Sequence, residues 1–352
     1  MLRSMYSGIS GMKANQTKLD VIGNNIANVS TTAFKASSAR FTDMLYQNSS
    51  SATAPTTTKG GTNANQVGLG AQLASINKVI SQGNALSTGR SLDVCVDGEG
   101  YLIVASGATS FEEENPINED GTFGAVSNEM LYTRDGNLTL DKDGNLLNAN
   151  GYRVMGYLYV DSNNADVPSI DKDGKAYYVD ADATKDDGGK KISALEAVGN
   201  GAQLNTLRIP TEVITSAPGA NPEETQPVVS FSIGKDGLIT AVLGNGSLTV
   251  LGQIATATFK NPEGLTDQGG NLASVSANSG KAIIRNPNGT LAANMSDNSS
   301  AFGDLIQGCL EASNVDLTEQ FTDMITATRA FQASSKMIST ADEILQTITS
   351  LM

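Results

Sequence analysis

The sequence predicts an α+β multidomain protein, with terminal α-helices that pair as a coiled coil and two mainly-β domains between them. Three observations point there. Apolar residues recur at heptad spacing at both ends of the 352-residue chain. Between the ends, that period gives way to short β-branched and aromatic runs broken by Asp-Gly and Asn-Gly. The length exceeds one ordinary domain of roughly 150 residues.

The first helix is predicted over residues 1 to 29. Leu2, Met5, Ile9, Met12, Leu19, Ile22, Ile26 and Val29 follow steps of three, four and seven, with Gln16 as the one polar interruption. Such spacing keeps a narrow apolar stripe on one helix face. Gly8, Gly11 and Gly23 lie within it, and each costs about 1 kcal/mol relative to Ala. The helix is therefore marginal alone and needs a partner.

The partner is predicted at the other end. Leu317, Met324, Phe331, Ile338, Leu345 and Met352 fall every seven residues. A companion row of Phe321, Thr328, Ser335 and Asp342 is apolar only at Phe321. Ser313 or Asn314 is the expected N-cap, with acidic Asp316 and Glu319 at the favoured end of the dipole. Residues 1 to 46 carry net charge +3 and residues 304 to 352 net −5, so the two helices suit each other electrostatically, within one chain or between copies. Packing of both helices on a common globular core is the plainer alternative; stripes this narrow favour a seam instead.

Residues 47 to 70 are rich in Ser, Thr, Asn and Gly and read as an extended arm or linker. From there the pattern is β, with hairpins expected at 93 to 104, 132 to 160 and 228 to 259. A turn-rich, acidic stretch interrupts them. The resulting division is a helical assembly domain (1–46 with 305–352), the arm (47–70), a first β domain (71–147 with 227–304) and an inserted outer β domain (148–226).

Composition narrows the chemistry. The net charge is −14 and histidine is absent. An acidic chain does not suit a nucleic acid partner. Without histidine there is no Ser/His/Asp triad and no His-ligated zinc. Cys95 and Cys309 stand alone with no CxxC spacing; Cys95, between Val94 and Val96, reads as a small buried strand residue. Asp-Lys-Asp-Gly occurs at 141–144 and 171–174, but with glycine at position 4 and no Glu at position 12 it reads as a turn rather than a calcium loop. Neither cofactor nor metal nor enzymatic activity is expected. No stretch reaches the ~20 apolar residues of a membrane span, and the N-terminus has no apolar core of a cleaved signal, so neither membrane insertion nor general secretion is expected.

Two long segments carry a resemblance. LDVIGNNIANVSTTAFK (19–35) and SNVDLTEQFTDMITATRAFQASSKMISTADEILQTI (313–348) resemble the N- and C-terminal signatures of the bacterial flagellar rod and hook family. SQGNALSTGRSLDVCVDGEGYLIV (81–104) is similar to its first β-domain motif. Departures are mild: the closing helix reads Thr328, Arg329, Ala330, Phe331, Gln332 where the family often has Gln-Arg-Ala-Tyr-Gln, and Cys95 replaces a small or aliphatic residue.

The resemblance implies a structural subunit that polymerises with copies of itself into a helical tube. It also implies terminal helices that are poorly ordered in the monomer, export by the flagellar type III apparatus and a place outside the cell in the flagellum. Neighbouring rod, hook-cap and hook–filament junction proteins would be its partners. Room for two β domains favours the hook over the distal rod, which remains the alternative. The self-assembly interface is then expected at the striped residues Leu2, Met5, Ile9, Met12, Leu19, Ile22, Ile26, Leu317, Phe321, Met324, Phe331, Ile338 and Leu345, with Asn24, Asn25 and Asn28 of the N-terminal signature.

Overall fold

The computed structural model describes residues 2–57, 59–106, 129–160, 169–170, 175–179, 193–194, 196–197, 201–202, 204–215, 224–284 and 303–351. The chain forms two compact units, one of Met1–Ser81 with Ser313–Met352, the other of Gln82–Ala312.

The first unit contains both helices, α1 (Leu2–Ala27) and α2 (Leu317–Leu351). The N-cap of α2 is Asp316, whose Oδ1 accepts from Thr318 N at 2.8 Å and from Glu319 N at 3.4 Å. It takes the place expected of Ser313 or Asn314 because it directly precedes the first helical residue, where a carboxylate also meets the positive end of the dipole. Asn314 is used elsewhere. Its Oδ1 accepts from Ala36 N at 2.7 Å, and its Nδ2 donates to Val79 O at 2.7 Å.

Four strands complete this unit. Strands β1 (Ser37–Asp43) and β4 (Ala71–Lys78) pair antiparallel from Ser37↔Lys78 to Asp43↔Ala71. Strands β2 (Tyr46–Ser50) and β3 (Asn65–Gly68) form an exposed ribbon, paired from Tyr46↔Gly68 to Ser50↔Asn65. The segment 47–70 is thus no structureless linker. It buries little, but β-favouring Tyr46 and Val67 lie in its two strands, and beyond them Thr53 and Thr62 are joined by hydroxyls 2.7 Å apart. Residues 71–81, expected to open the first β domain, belong with the helices because β4 completes the ladder that β1 begins.

The second unit is built on a sheet with antiparallel neighbours. Its strand order is Glu212–Ile214, Thr225–Ile233, Leu238–Leu243, Leu248–Ile254, Arg153–Tyr157, Tyr101–Ser106, Glu129–Thr133, Leu272–Ser274 and Thr266–Gly269. The hairpins expected within 132–160 and 228–259 are present. Asp141–Gly144 forms the expected turn, with Gly144 N donating to Asp141 O at 2.9 Å; its copy at 171–174 lies outside the described residues. The expected hairpin at 93–104 does not form. Val94–Asp97 pairs instead with Asp304–Gln307, while Tyr101–Ser106 pairs with Glu129–Thr133.

The described part of 148–226 does not stand apart as an inserted domain. Arg153–Tyr157 pairs with Tyr101–Ser106 and Leu248–Ile254. Val154, Leu207 and Val213 share one apolar cluster with Val104, Leu243 and Leu251. Apolar side chains in this stretch complete the core of its flanks, since strands this short cannot bury a core of their own.

Where the second unit opens and closes, chain leaving and chain returning run side by side. Ala85–Ser87 pairs with Cys309–Glu311. Beside this pairing lies a buried ion pair, with Arg134 Nε donating to Glu311 Oε2 at 2.8 Å and the two side chains 4% and 0% exposed. Arg134 Nη2 donates to Gly98 O at 2.8 Å, and Gly83 N donates to Glu311 Oε1 at 3.0 Å. Cys95 is fully buried close by, as its strand position predicts. Burial pushes its thiol up to about 11; the nearby Glu311 charge adds to the rise and Arg134 opposes it.

Candidate assembly interface

The helices pair antiparallel in the first unit. Gly8 and Gly11 of α1 face Ser334 and Ile338 of α2. Further along, Lys18 Nζ lies 3.2 Å from Asp323 Oδ2, and Asn25 Nδ2 donates to Gln320 Oε1 at 3.1 Å. The ion pair joins helices of opposite net charge, as their composition predicts. It is partly exposed, so it orients the pair more than it stabilises it.

The seam on α2 uses the predicted row together with a second row the sequence hides. Met324, Phe331, Ile338 and Leu345 are half-buried. Their companions are Ala327 and Ala341, buried, and half-buried Ser334, each three residues beyond a member of the main row. Phe321 and Leu317 are exposed at 50% and 39%, and so do not belong to this seam. Small residues there let the helices approach closely. A Cβ at Gly8 would sit 3.3 Å from Ile338 Cγ1, and one at Gly11 3.2 Å from Ser334 Oγ. These glycines weaken α1 alone, yet they fit it to its partner.

On α1, Ile22 is buried and Met5, Met12, Leu19 and Ile26 are half-buried; the side chain of Leu2 lies outside the described residues. Ile9 is exposed at 37% and lines a groove on another face. The asparagines of the signature have local duties. Asn25 is 1% exposed; it accepts from Ser37 N at 3.0 Å and donates to Ser37 O at 2.8 Å, pinning the start of β1 to the helix. Asn28 Nδ2 donates to Asn24 O at 2.9 Å, and Thr31 Oγ1 donates to Asn28 Oδ1 at 3.1 Å, which closes the C-terminal end of α1. Asn24 is exposed, and its Oδ1 accepts from Asn28 Nδ2 at 3.0 Å.

The groove has a volume of about 560 Å³ and runs between α1 and the chain around β4. Tyr6, Ile9 and Lys13 form one wall, and Met44, Leu69 and Leu73 the other. Gly70 lies between the lining residues Leu69 and Ala71. With φ at +125° and a Cβ position that would overlap Ser10 Oγ, only glycine lets the chain between β3 and β4 approach α1 here. Apolar exposure is widespread in this unit: Tyr6 66%, Leu45 81%, Ile76 49% and Leu351 83%. Exposed apolar surface on this scale is of the kind that interaction surfaces present.

The Asp43 carboxylate beside Tyr46 holds its phenol above the usual range, chiefly through a hydrogen bond. Among the described residues no cluster of acidic, Cys or His side chains is placed to hold a metal ion, and no helix is long and apolar enough to cross a membrane.

Comparison with known proteins agrees with this arrangement of ends and middle. Residues 5–35 match the flagella basal body rod protein family, and 306–351 the C-terminal family of flagellar basal body rod FlgEFG proteins. Residues 117–178 match the D1 domain of flagellar hook protein FlgE/F/G. The flagellar basal-body rod protein FlgG of Bacillus subtilis is 38% identical over 351 residues, covering 100% of this chain and 99% of its own. The flagellar hook protein FlgE of Borreliella burgdorferi is 29% identical over 472 aligned positions, covering all of both chains. A crystal structure of Helicobacter pylori flagellar hook protein FlgE2 overlaps 64% of this chain and 100% of its own at 13% identity, with a TM-score of 0.37, a weak likeness. The terminal signatures match separate family profiles and a 38% identical relative aligns from end to end, so the chain belongs to the bacterial flagellar rod and hook family.

Proposed function

We propose that this protein is a structural, non-catalytic subunit of the bacterial flagellum that polymerises with copies of itself through its helical unit, and that its place is the distal rod. The observation that carries the rod reading is the end-to-end match to a rod protein of nearly equal length. The preference for the hook rests on room for two β domains, and the described β residues of 82–312 form one unit. The hook is the second reading, favoured by hook proteins that match along 97 to 100% of the chain. Those alignments run to 472 and 425 positions, so the hook relatives need insertions that the rod relative does not.

Coiled-coil packing between copies, export without a cleaved signal and contact with neighbouring rod, hook-cap and junction proteins belong to the same reading. The exposed apolar residues of the helical unit support it, since a subunit with unlike sticky surfaces assembles head to tail into an open helix. Electron microscopy of polymer grown from purified protein tests the proposal. A straight tube is the expected product. A curved tube would favour the hook, and failure to polymerise at any salt or seed concentration would overturn the structural role.

A further inference from the structure

Two apolar surfaces of the helical unit lie open and differ in charge. The groove along α1 is walled by Tyr6, Ile9 and Leu73 with Lys13 at its edge. Residues 2 to 18 of α1 contain Arg3, Lys13 and Lys18 and no acid. On the last turns of α2, Ile344, Ile348 and Leu351 are exposed at 50%, 42% and 83%. They follow four-three spacing, which sets them on one helix face. Residues 337 to 351 carry Asp342 and Glu343 and no base.

These two surfaces do not meet within the chain. The seam of α2 faces Gly8 and Gly11, whereas the groove lies on the side of α1 where Ser10 packs against Gly70. We propose that the groove beside Ile9 receives the Ile344–Ile348–Leu351 edge of α2 from a second copy, with Lys13 facing that copy's acidic turn. This rests on the self-assembly reading and names its contact. Groove and edge are unlike surfaces, so the joint is heterologous: each copy offers one of each, and the contact propagates rather than closing a dimer. An amphipathic helix face laid in an apolar groove is a common recognition mode, anchored at three- and four-residue steps. Apolar burial supplies the attraction, and the opposed charges select the orientation.

The test uses the full-length chain with Cys309→Ser, leaving the buried Cys95 in place. Ile9→Cys and Ile348→Cys are introduced together and separately, and polymer is treated with a short bis-maleimide. The pair should give a ladder of crosslinked multimers in polymer and none in dilute monomer, and the single variants should give no ladder. As an independent arm, Lys13→Glu should raise the concentration needed for polymerisation by about tenfold. Adding Glu343→Lys should restore it. Normal polymer with no ladder and no Lys13 effect would overturn this contact while leaving self-assembly standing. Absence of polymer from the unmodified chain would instead remove the self-assembly reading on which the contact depends.

Discussion

Arg134 and Glu311 are distant in sequence and meet at 2.8 Å with almost no solvent exposure. Neither side chain belongs to an apolar pattern, so nothing in the periodicity of the chain marks them as partners. Their value lies in position: Arg134 gathers the carbonyls of Val96 and Gly98, while Glu311 receives the amide of Gly83. The pair thereby fastens the first and last segments of the second unit to the middle of its sheet. Arg134→Met should destabilise this unit by about 3 to 5 kcal/mol, because Glu311 would stay buried without its cation. Arg134→Met with Glu311→Leu should be less damaging than Arg134→Met alone, since no charge is left behind. Urea unfolding of the three proteins checks the order, and equal stability of Arg134→Met and the unmodified chain would show the pair to be dispensable.

At the scale of elements, the terminal helices show how one residue type serves opposite ends. Gly8 and Gly11 face α2 at contact distance, while a Cβ at Gly23 would meet nothing within 4 Å. Gly23→Ala should therefore stabilise α1 by up to about 1 kcal/mol through helix propensity alone. Gly8→Val should cost about 1 to 3 kcal/mol by forcing an extra side chain against Ile338. Thermal melts followed by helical circular dichroism should move in opposite directions for the two variants, and a stabilising Gly8→Val would contradict the close packing described here. The predicted Met324, Phe331, Ile338 and Leu345 row was legible because large apolar side chains at a fixed period signal a buried face. Ala327, Ser334 and Ala341 were not, because small residues occur equally on exposed faces and only a neighbouring helix gives them meaning. Their own seven-residue spacing, three positions beyond the main row, is the signal that finds them.

For the whole molecule, the division falls at 81/82 and 312/313 rather than at the ends of the arm. Residues 82–312 contain the main sheet, its apolar clusters and the Arg134–Glu311 pair. Expressed alone, this fragment should be soluble, unfold cooperatively and fail to polymerise, because the groove and both helices are missing. An aggregated or unfolded fragment would mean that its core depends on the helical unit.

Taken alone, the sequence determined the helical ends, their opposite charges, most of the hairpins and the family, since periodicity, turn residues and signature spacing are all local properties of the chain. Ile9 and Phe321 carry the right residue type and spacing yet face away from the seam, because a stripe fixes which residues share a side without fixing which neighbour covers each one. Asn25 was legible as a signature residue but not as the clip that holds Ser37. The assignment of β4 to the helices, the common core of 148–226 with its flanks and the groove beside Ile9 were decided only by tertiary structure. Each depends on residues far apart in the chain meeting across a ladder or an apolar face, and no local pattern records which of several compatible partners completes the burial.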